Sequence, residues 1–242
     1  MGNISDRLIV ALDSSDLEGV QKLLENLKGI ITFYKVGFEL FVSQGWKAVD
    51  LVHQFGAKVF LDLKLHDIPN TVKKTTEAIC EHHVEMFNVH ASGGLEMMQS
   101  TADAVQKATR GRKTKPIVIG VTVLTSLNQD QLTQELGISR NVQDQVLALA
   151  RLTRTAGLNG VVSSPQEIAA LRNEFPRDFV IVTPGIRPEG SSKSDQKRIC
   201  TPKEAFVSGA DYIVIGRPIS GVADPRMSAL DILTSIGTLD DI

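Results

Sequence analysis

Cysteine is scarce in this chain, with only Cys80 and Cys200 among 242 residues. The two are too far apart in sequence for a metal-binding or redox spacing and have no evident activating neighbour, so both read as incidental reduced thiols. A dominant charge is lacking too: 26 basic against 28 acidic residues leave a net charge of −2, with no basic block in the sequence. A nucleic-acid or membrane partner is therefore not expected, while small anionic ligands stay open because they need only local cations. No apolar run approaches membrane-spanning length. The opening stretch M-G-N-I-S-D-R-L has no apolar signal core, and Asp6 stands where a myristoylation motif wants Ser or Thr. These absences point to a soluble cytoplasmic protein.

Two motif classes are missing as well. No G-x-G-x-x-G follows the first apolar run, which weakens a dinucleotide-binding reading. His82 and His83 make no H-E-x-x-H pair and read as a solvated helix end, as His53 reads as a helix-surface residue.

What the chain does have is 42% hydrophobic residues, enough for a substantial core, and one unusual run from Lys58 to Thr71, K-V-F-L-D-L-K-L-H-D-I-P-N-T. Val59, Leu61, Leu63 and Leu65 recur at the period of two of a β-strand, which puts Phe60, Asp62 and Lys64 on its other face. Pro69 suits the first turn of a following helix, so Asp67 falls in the strand-to-helix loop. Charges opposite so apolar a face must be paired if they point inward, because an isolated buried ion costs several kcal/mol. The run reads either as a structural Asp–Lys pair with a helix-capping Asp67, or as a catalytic lysine held as an ammonium between two carboxylates.

The rest of the chain alternates strand and helix. Strands are expected at Leu8 to Leu12, Phe33 to Val36, the run from Lys58, Met86 to Val89, Ile117 to Val123, Gly160 to Val162, Phe179 to Val182 and Tyr212 to Ile215. Between them lie helical patterns: a capping box at Ser15 and Glu18, one helix over Phe38 to Phe55, another from about Pro69 to His82, and one holding Leu95, Met98, Ala102 and Val105. A long helix follows at Val142 to Thr153, and further starts are marked by Ser164-Pro165-Glu167, Thr201-Pro202-Glu204 and Asp224-Pro225. Met97 and Met98 read as packing residues. Units averaging about thirty residues mean a parallel sheet with helical crossovers, and eight of them in this length favour a closed (β/α)8 TIM barrel over an open doubly wound sheet. With no composition shift or linker, residues 1–242 read as a single domain.

In such a barrel the site lies at the C-terminal ends of the strands. Asp13, Lys35, Asp62, Lys64 and Asp67 fall there, from three successive strands and with alternating sign. Arg187 after the seventh strand, and Gly216 with Arg217 after the eighth, stand where barrels commonly bind a phosphate, although ordinary glycine turns with surface arginines would look the same. The polar stretch from Arg187 to Thr201 has the character of a lid and places Gln196 within reach of a ligand. His66 and His90 are left open between a supporting role at the site and a structural or exposed one.

These residues give the chain its resemblance to the orotidine 5′-phosphate decarboxylase family of bacterial type. The likeness runs through A-L-D at Ala11 to Asp13, K-V-G at Lys35 to Gly37, F-L-D-L-K-L-H-D-I-P at Phe60 to Pro69 and N-V-H-A at Asn88 to Ala91. It continues through L-T-S at Leu124 to Ser126, T-P-G-I-R at Thr183 to Arg187 and V-I-G-R at Val214 to Arg217. The resemblance implies that Lys64 protonates C6 of orotidine 5′-monophosphate, with Asp13, Lys35 and Asp62 completing the charged network. It implies that Thr125 and Ser126 contact ribose and pyrimidine, and that Arg187, Gln196, Gly216 and Arg217 hold the 5′-phosphate. Asp67, Ile68 and Thr71 would come from the partner subunit of a homodimer, and no metal or cofactor would be needed. Two other readings are weighed beside it. Mg2+-dependent sugar-phosphate lyases of the same suprafamily (3-keto-gulonate 6-phosphate decarboxylase, hexulose-phosphate synthase) carry a carboxylate where this chain has Lys35, and a lysine there repels a divalent cation. A non-catalytic phosphoribosyl-ligand sensor has no need of the full Lys35, Asp62, Lys64 and Asp67 set.

Overall fold

A computed structural model describes residues 4–188 and 200–237. The apolar run Leu8–Ala11 is buried along its whole length as strand β1, as expected of a strand covered on both faces. It pairs in parallel with β2 (Phe33–Gly37) on one side and β8 (Tyr212–Ile215) on the other. The intervening strands β3 (Lys58–Leu65), β4 (Met86–His90), β5 (Ile117–Val121), β6 (Gly160–Val162) and β7 (Val180–Thr183) complete a closed barrel in sequence order. The period-two pattern sorts the side chains. Ile9, Ala11, Phe33, Phe60, Met86, Ile119, Val182 and Val214 plug the barrel interior, while Leu8, Val10, Val59 and Leu61 join the larger apolar layer beneath the helices.

The helices are α1 (Leu17–Leu27), α2 (Phe38–Gln44), α3 (Trp46–Gln54), α4 (Pro69–Glu81), α5 (Leu95–Ala108), α6 (Val142–Thr155), α7 (Ile168–Glu174), α8 (Pro202–Ser208), α9 (Arg217–Ser220) and α10 (Pro225–Ile236). Several depart from the sequence pattern for local reasons. The cap of α1 is Asp16, whose carboxylate accepts the Glu18 and Gly19 N–H groups, so no Ser15–Glu18 box forms. The expected single helix over Phe38 to Phe55 breaks at Gly45, which adopts a left-handed φ of 59°. Ser164 caps a 3-10 turn (Pro165–Glu167) ahead of α7 by accepting the Gln166 N–H. The Thr201–Glu204 box forms in full, and Asp224 caps α10. His82 is no solvated end: its ring stacks on Trp46 at 3.6 Å. His53 lies on α3 and is partly exposed, 3.8 Å from Glu85.

Two close approaches tighten the half of the barrel opposite β1 to β3. At Gly120 a Cβ would meet the Thr153 hydroxyl at 2.5 Å, so α6 sits directly against β5. At Gly160 a Cβ would run into the backbone carbonyl of Val180, and a strand partner's backbone cannot yield as a flexible side chain can. Gly160→Ala is therefore expected to lower stability by about 3 kcal/mol, the upper end for overpacking, as measured by denaturant unfolding.

Candidate active site

Each charged residue of the site rides on a strand end. Asp13 follows β1, Lys35 lies on β2, and Asp62 and Lys64 lie on β3 beyond Phe60, on the interior side. They form one chain of opposite charges. Lys35 Nζ is 3.2 Å from Asp13 Oδ1 and 3.4 Å from Asp62 Oδ2, and Lys64 Nζ is 2.7 Å from Asp62 Oδ1. Burial opposes the Lys35 ammonium, but Asp62 and Asp13 outweigh it and hold its pKa above the usual lysine value. Burial likewise opposes the Asp62 carboxylate, and Lys35, Lys64 and an amide from Asn88 together bring its pKa below the usual range. Lys35 and Asp62 thus each favour the ionised form of the other.

The strand is not regular where Asp62 and Lys64 sit. Leu61 pairs with Phe87 and Leu65 with Val89, so four steps of β3 face two steps of β4. Within this bulge Lys64 adopts a φ of 48°, a left-handed conformation that costs a non-glycine residue about 1–2 kcal/mol. Asn88, buried on β4, fills the gap. Its Oδ1 accepts the Lys64 backbone N–H at 2.7 Å and its Nδ2 donates to Asp62 Oδ1 at 2.7 Å. Asn88 is the one polar residue between the apolar neighbours Phe87 and Val89 of a buried strand. That misfit was the signal for it, yet sequence reasoning assigned it no role. Gly37 is a second such residue: a Cβ there would stand 2.7 Å from Lys35 Nζ, so glycine leaves the ammonium its place.

Beside the charges opens a cavity of about 200 Å³. Lys35, Asp62 and Lys64 form its charged end, Val121, Val162 and Val182 line its apolar wall, and Thr125 also borders it. Ser126, next along the same turn, is exposed. Ser163 Oγ and Thr183 Oγ1, at the ends of β6 and β7, are buried without a hydrogen-bond partner among the described residues; sequence reasoning gave neither a role. Arg187 is buried, its backbone N–H donating to Cys200 O and its Nη1 to Ile186 O. Arg217 is exposed at the start of α9, and a Cβ on Gly216 would lie 3.0 Å from Asp13 Oδ2. Gln196 and most of the stretch read as a lid lie outside the described residues.

Among the described residues Asp67 makes no bond to the cluster. Its Oδ1 accepts the Ile68 N–H at 2.7 Å on its own exposed loop, so it does not cap α4 with its side chain. Ile68 is 67% exposed and Thr71 is exposed as well. The His66 and His90 rings lie 5.2 Å apart, and burial, with His66 and Lys64 nearby, lowers the His90 pKa. Cys200 is pushed up to about 12 by burial and the adjacent Glu204, and burial raises Cys80, so both thiols are unreactive.

A parallel (β/α)8 barrel with an ordered array of lysines and aspartates at its strand ends, beside a largely apolar pocket, has the architecture of a barrel enzyme. The particular family follows from comparison with known proteins. The chain belongs to the orotidine 5′-phosphate decarboxylase / HUMPS family, whose profile matches residues 6–232. It is 48% identical to the orotidine 5′-phosphate decarboxylase of Moorella thermoacetica over 96% of this chain and 92% of that one. With the enzyme of Carboxydothermus hydrogenoformans it shares 46% identity over 93% and 94% of the two chains. The crystal structure of orotidine 5′-phosphate decarboxylase from Lactobacillus acidophilus superposes with a TM-score of 0.85 at 36% identity, covering 96% of this chain and all of that one.

Removing the central carboxylate leaves two close ammoniums short of a counter-charge. Asp62→Asn is expected to cost about 3 kcal/mol at pH 7, the lower range for breaking a buried pair. Asp62 has a folded pKa below its unfolded 3.8, so its stabilisation is present above that value and is lost as pH falls through the folded pKa. Denaturant unfolding of both proteins from pH 7 down to pH 3 is expected to show the gap between them narrowing below about pH 4.

Proposed function

We infer that this chain decarboxylates orotidine 5′-monophosphate to uridine 5′-monophosphate, the last step of UMP biosynthesis, as a single-domain barrel that pairs into a cytoplasmic homodimer. The observation that carries the reading is the Lys64 ammonium, fixed 2.7 Å from Asp62 at the charged end of an apolar cavity. Loss of CO2 breaks the bond from C6 to the carboxyl carbon and leaves the electron pair on C6, a vinylic carbon with no conventional electron sink. A fixed ammonium beside that carbon stabilises the pair and then donates an Nζ proton to it. Lys64 is left as an amine and regains its proton from solvent. Asp62 holds Lys64 in place and stands near the departing carboxylate, while Asp13 and Lys35 close the network and help bind the substrate. Thr125 and Ser126 contact the ribose and pyrimidine. Arg187, Gln196, Gly216 and Arg217 grip the 5′-phosphate, where remote binding energy organises the reacting end.

The family also includes sugar-phosphate lyases that use Mg2+. Lys35 speaks against that chemistry here, because its ammonium occupies the strand end where a carboxylate ligand would be needed. Among the described residues no three His, Cys, Asp or Glu side chains converge to hold a metal ion. The decarboxylation as read here invokes no metal or cofactor step.

Asp67, Ile68 and Thr71 are assigned to the site of the partner subunit. The support is local: the Asp67 side chain is turned onto its own loop, and the apolar Ile68 beside it is left exposed.

Purified protein without additives is expected to consume orotidine 5′-monophosphate, followed by its absorbance, with no loss on exhaustive chelation. Restoration by Mg2+ after such a loss moves the assignment to the lyases. Lys64→Ala is expected to lower turnover by about 10⁴-fold or more while the protein stays folded and binds uridine 5′-monophosphate. Near-normal turnover in that variant removes Lys64 from the chemistry.

The shared site has its own test. Lys64→Ala and Asp67→Ala proteins, each inactive, are unfolded together in equal amounts and refolded. Half the dimers are then mixed, each gathering both lesions in one site and leaving the other intact, so activity returns to about a quarter of wild type. No return, with dimers still forming, places Asp67 in the site of its own subunit.

A further inference from the structure

We propose that Asn88 is the positioning residue of this site, its side-chain amide setting both the Lys64 backbone and the Asp62 carboxylate for the chemical step. The inference rests on the decarboxylase reading but assigns a residue to which that reading gives no role.

The argument starts from the bulge. A regular parallel pair would satisfy the backbone of residues 62 to 64 with β4 carbonyls and amides. Here β3 advances four residues while β4 advances two, so the ladder cannot reach Lys64. The Asn88 side-chain oxygen Oδ1 takes the place of the missing main-chain acceptor, 2.7 Å from the Lys64 backbone nitrogen. This bond lands on a residue held at a φ of 48°, a conformation that persists only where the surroundings over-determine it.

The other end of the same amide does something a backbone group could not. Its Nδ2 donates to Asp62 Oδ1 at 2.7 Å, the same oxygen that receives the Lys64 ammonium at 2.7 Å. The second oxygen, Oδ2, faces Lys35 at 3.4 Å. The Asp62 carboxylate is thus held at both oxygens, and its rotation, which would swing Lys64 Nζ away from the cavity, is blocked. The amide has no freedom of its own: the N–H of Lys64 requires an acceptor and the carboxylate requires a donor, so only one orientation satisfies both. Asn88 is 1% exposed, and a group so enclosed does not touch substrate. It acts through Asp62 and Lys64.

A residue that only fills space makes a different prediction from one that donates a hydrogen bond. Asn88→Asp keeps the shape and the acceptor for the Lys64 N–H but replaces the donor with a second carboxylate facing Asp62. Asn88→Ala removes both. For a positioning role, both variants lose roughly tenfold to a hundredfold in kcat, the scale expected of a small misplacement of reacting groups. KM, and the affinity for uridine 5′-monophosphate measured by calorimetry, stay within about threefold of wild type. Asn88→Asp is expected to be no better than Asn88→Ala even where its melting temperature is the higher of the two. Wild-type turnover under the same conditions tests the decarboxylase reading separately. If the wild type is active and Asn88→Asp restores kcat to the wild-type level, Asn88 serves packing alone and the proposal fails. It fails equally if folded Asn88→Ala turns over within twofold of wild type.

Discussion

The Asp62 carboxylate between two ammoniums is the interaction on which the rest of this site depends. A buried ion forfeits several kcal/mol of solvation, and one close opposite charge in a partly buried site returns about 4 kcal/mol. A carboxylate with one cation therefore roughly breaks even. Asp62 has two, Lys35 and Lys64, and a neutral donor in Asn88, which is why its pKa falls although burial pushes the other way. Lys35 is secured in the same manner by Asp62 and Asp13. The alternation is what makes so dense an array tolerable, and it leaves an ammonium at the edge of a cavity.

The barrel supplies the contrast that gives this array its use. Eight apolar side chains plug the interior below, and valines from β5, β6 and β7 line the cavity beside the charges. In such surroundings an ammonium interacts more strongly with charge developing on a nearby carbon than it would in water. Both halves of the arrangement come from one strand property. Phe60, Asp62 and Lys64 succeed one another toward the C-terminal end of β3, so the strand passes from plug to site within a few residues.

Local pattern carried far in this chain. The period of two in the run from Lys58 separates the charged from the apolar face of β3, and the bounds expected for β6 and β8 match those observed. The charged residues at the ends of the first three strands were legible because their types clash with the apolar runs they terminate. The misses share a cause as well. The apolar spacing over Phe38 to Phe55 predicts one continuous helix because it survives the break at Gly45, while the break depends on a backbone conformation that spacing does not record. Asp16, not Ser15, caps α1; both residue types suit that place, and spacing alone does not choose between them.

The number and order of strands, the inward face of β3 and the family to which the chain belongs are legible in the amino-acid order, since each rests on residue types at short spacing. Which charges meet, and how, follows from the folded arrangement. The two-for-four register between β4 and β3, the left-handed Lys64 within it and the amide of Asn88 spanning the gap depend on how two strands are laid side by side. Asn88 is 26 residues from Asp62, and no periodicity within either strand encodes that register. It is settled by closure of the barrel, where the packing of all eight strands fixes the offset between any two.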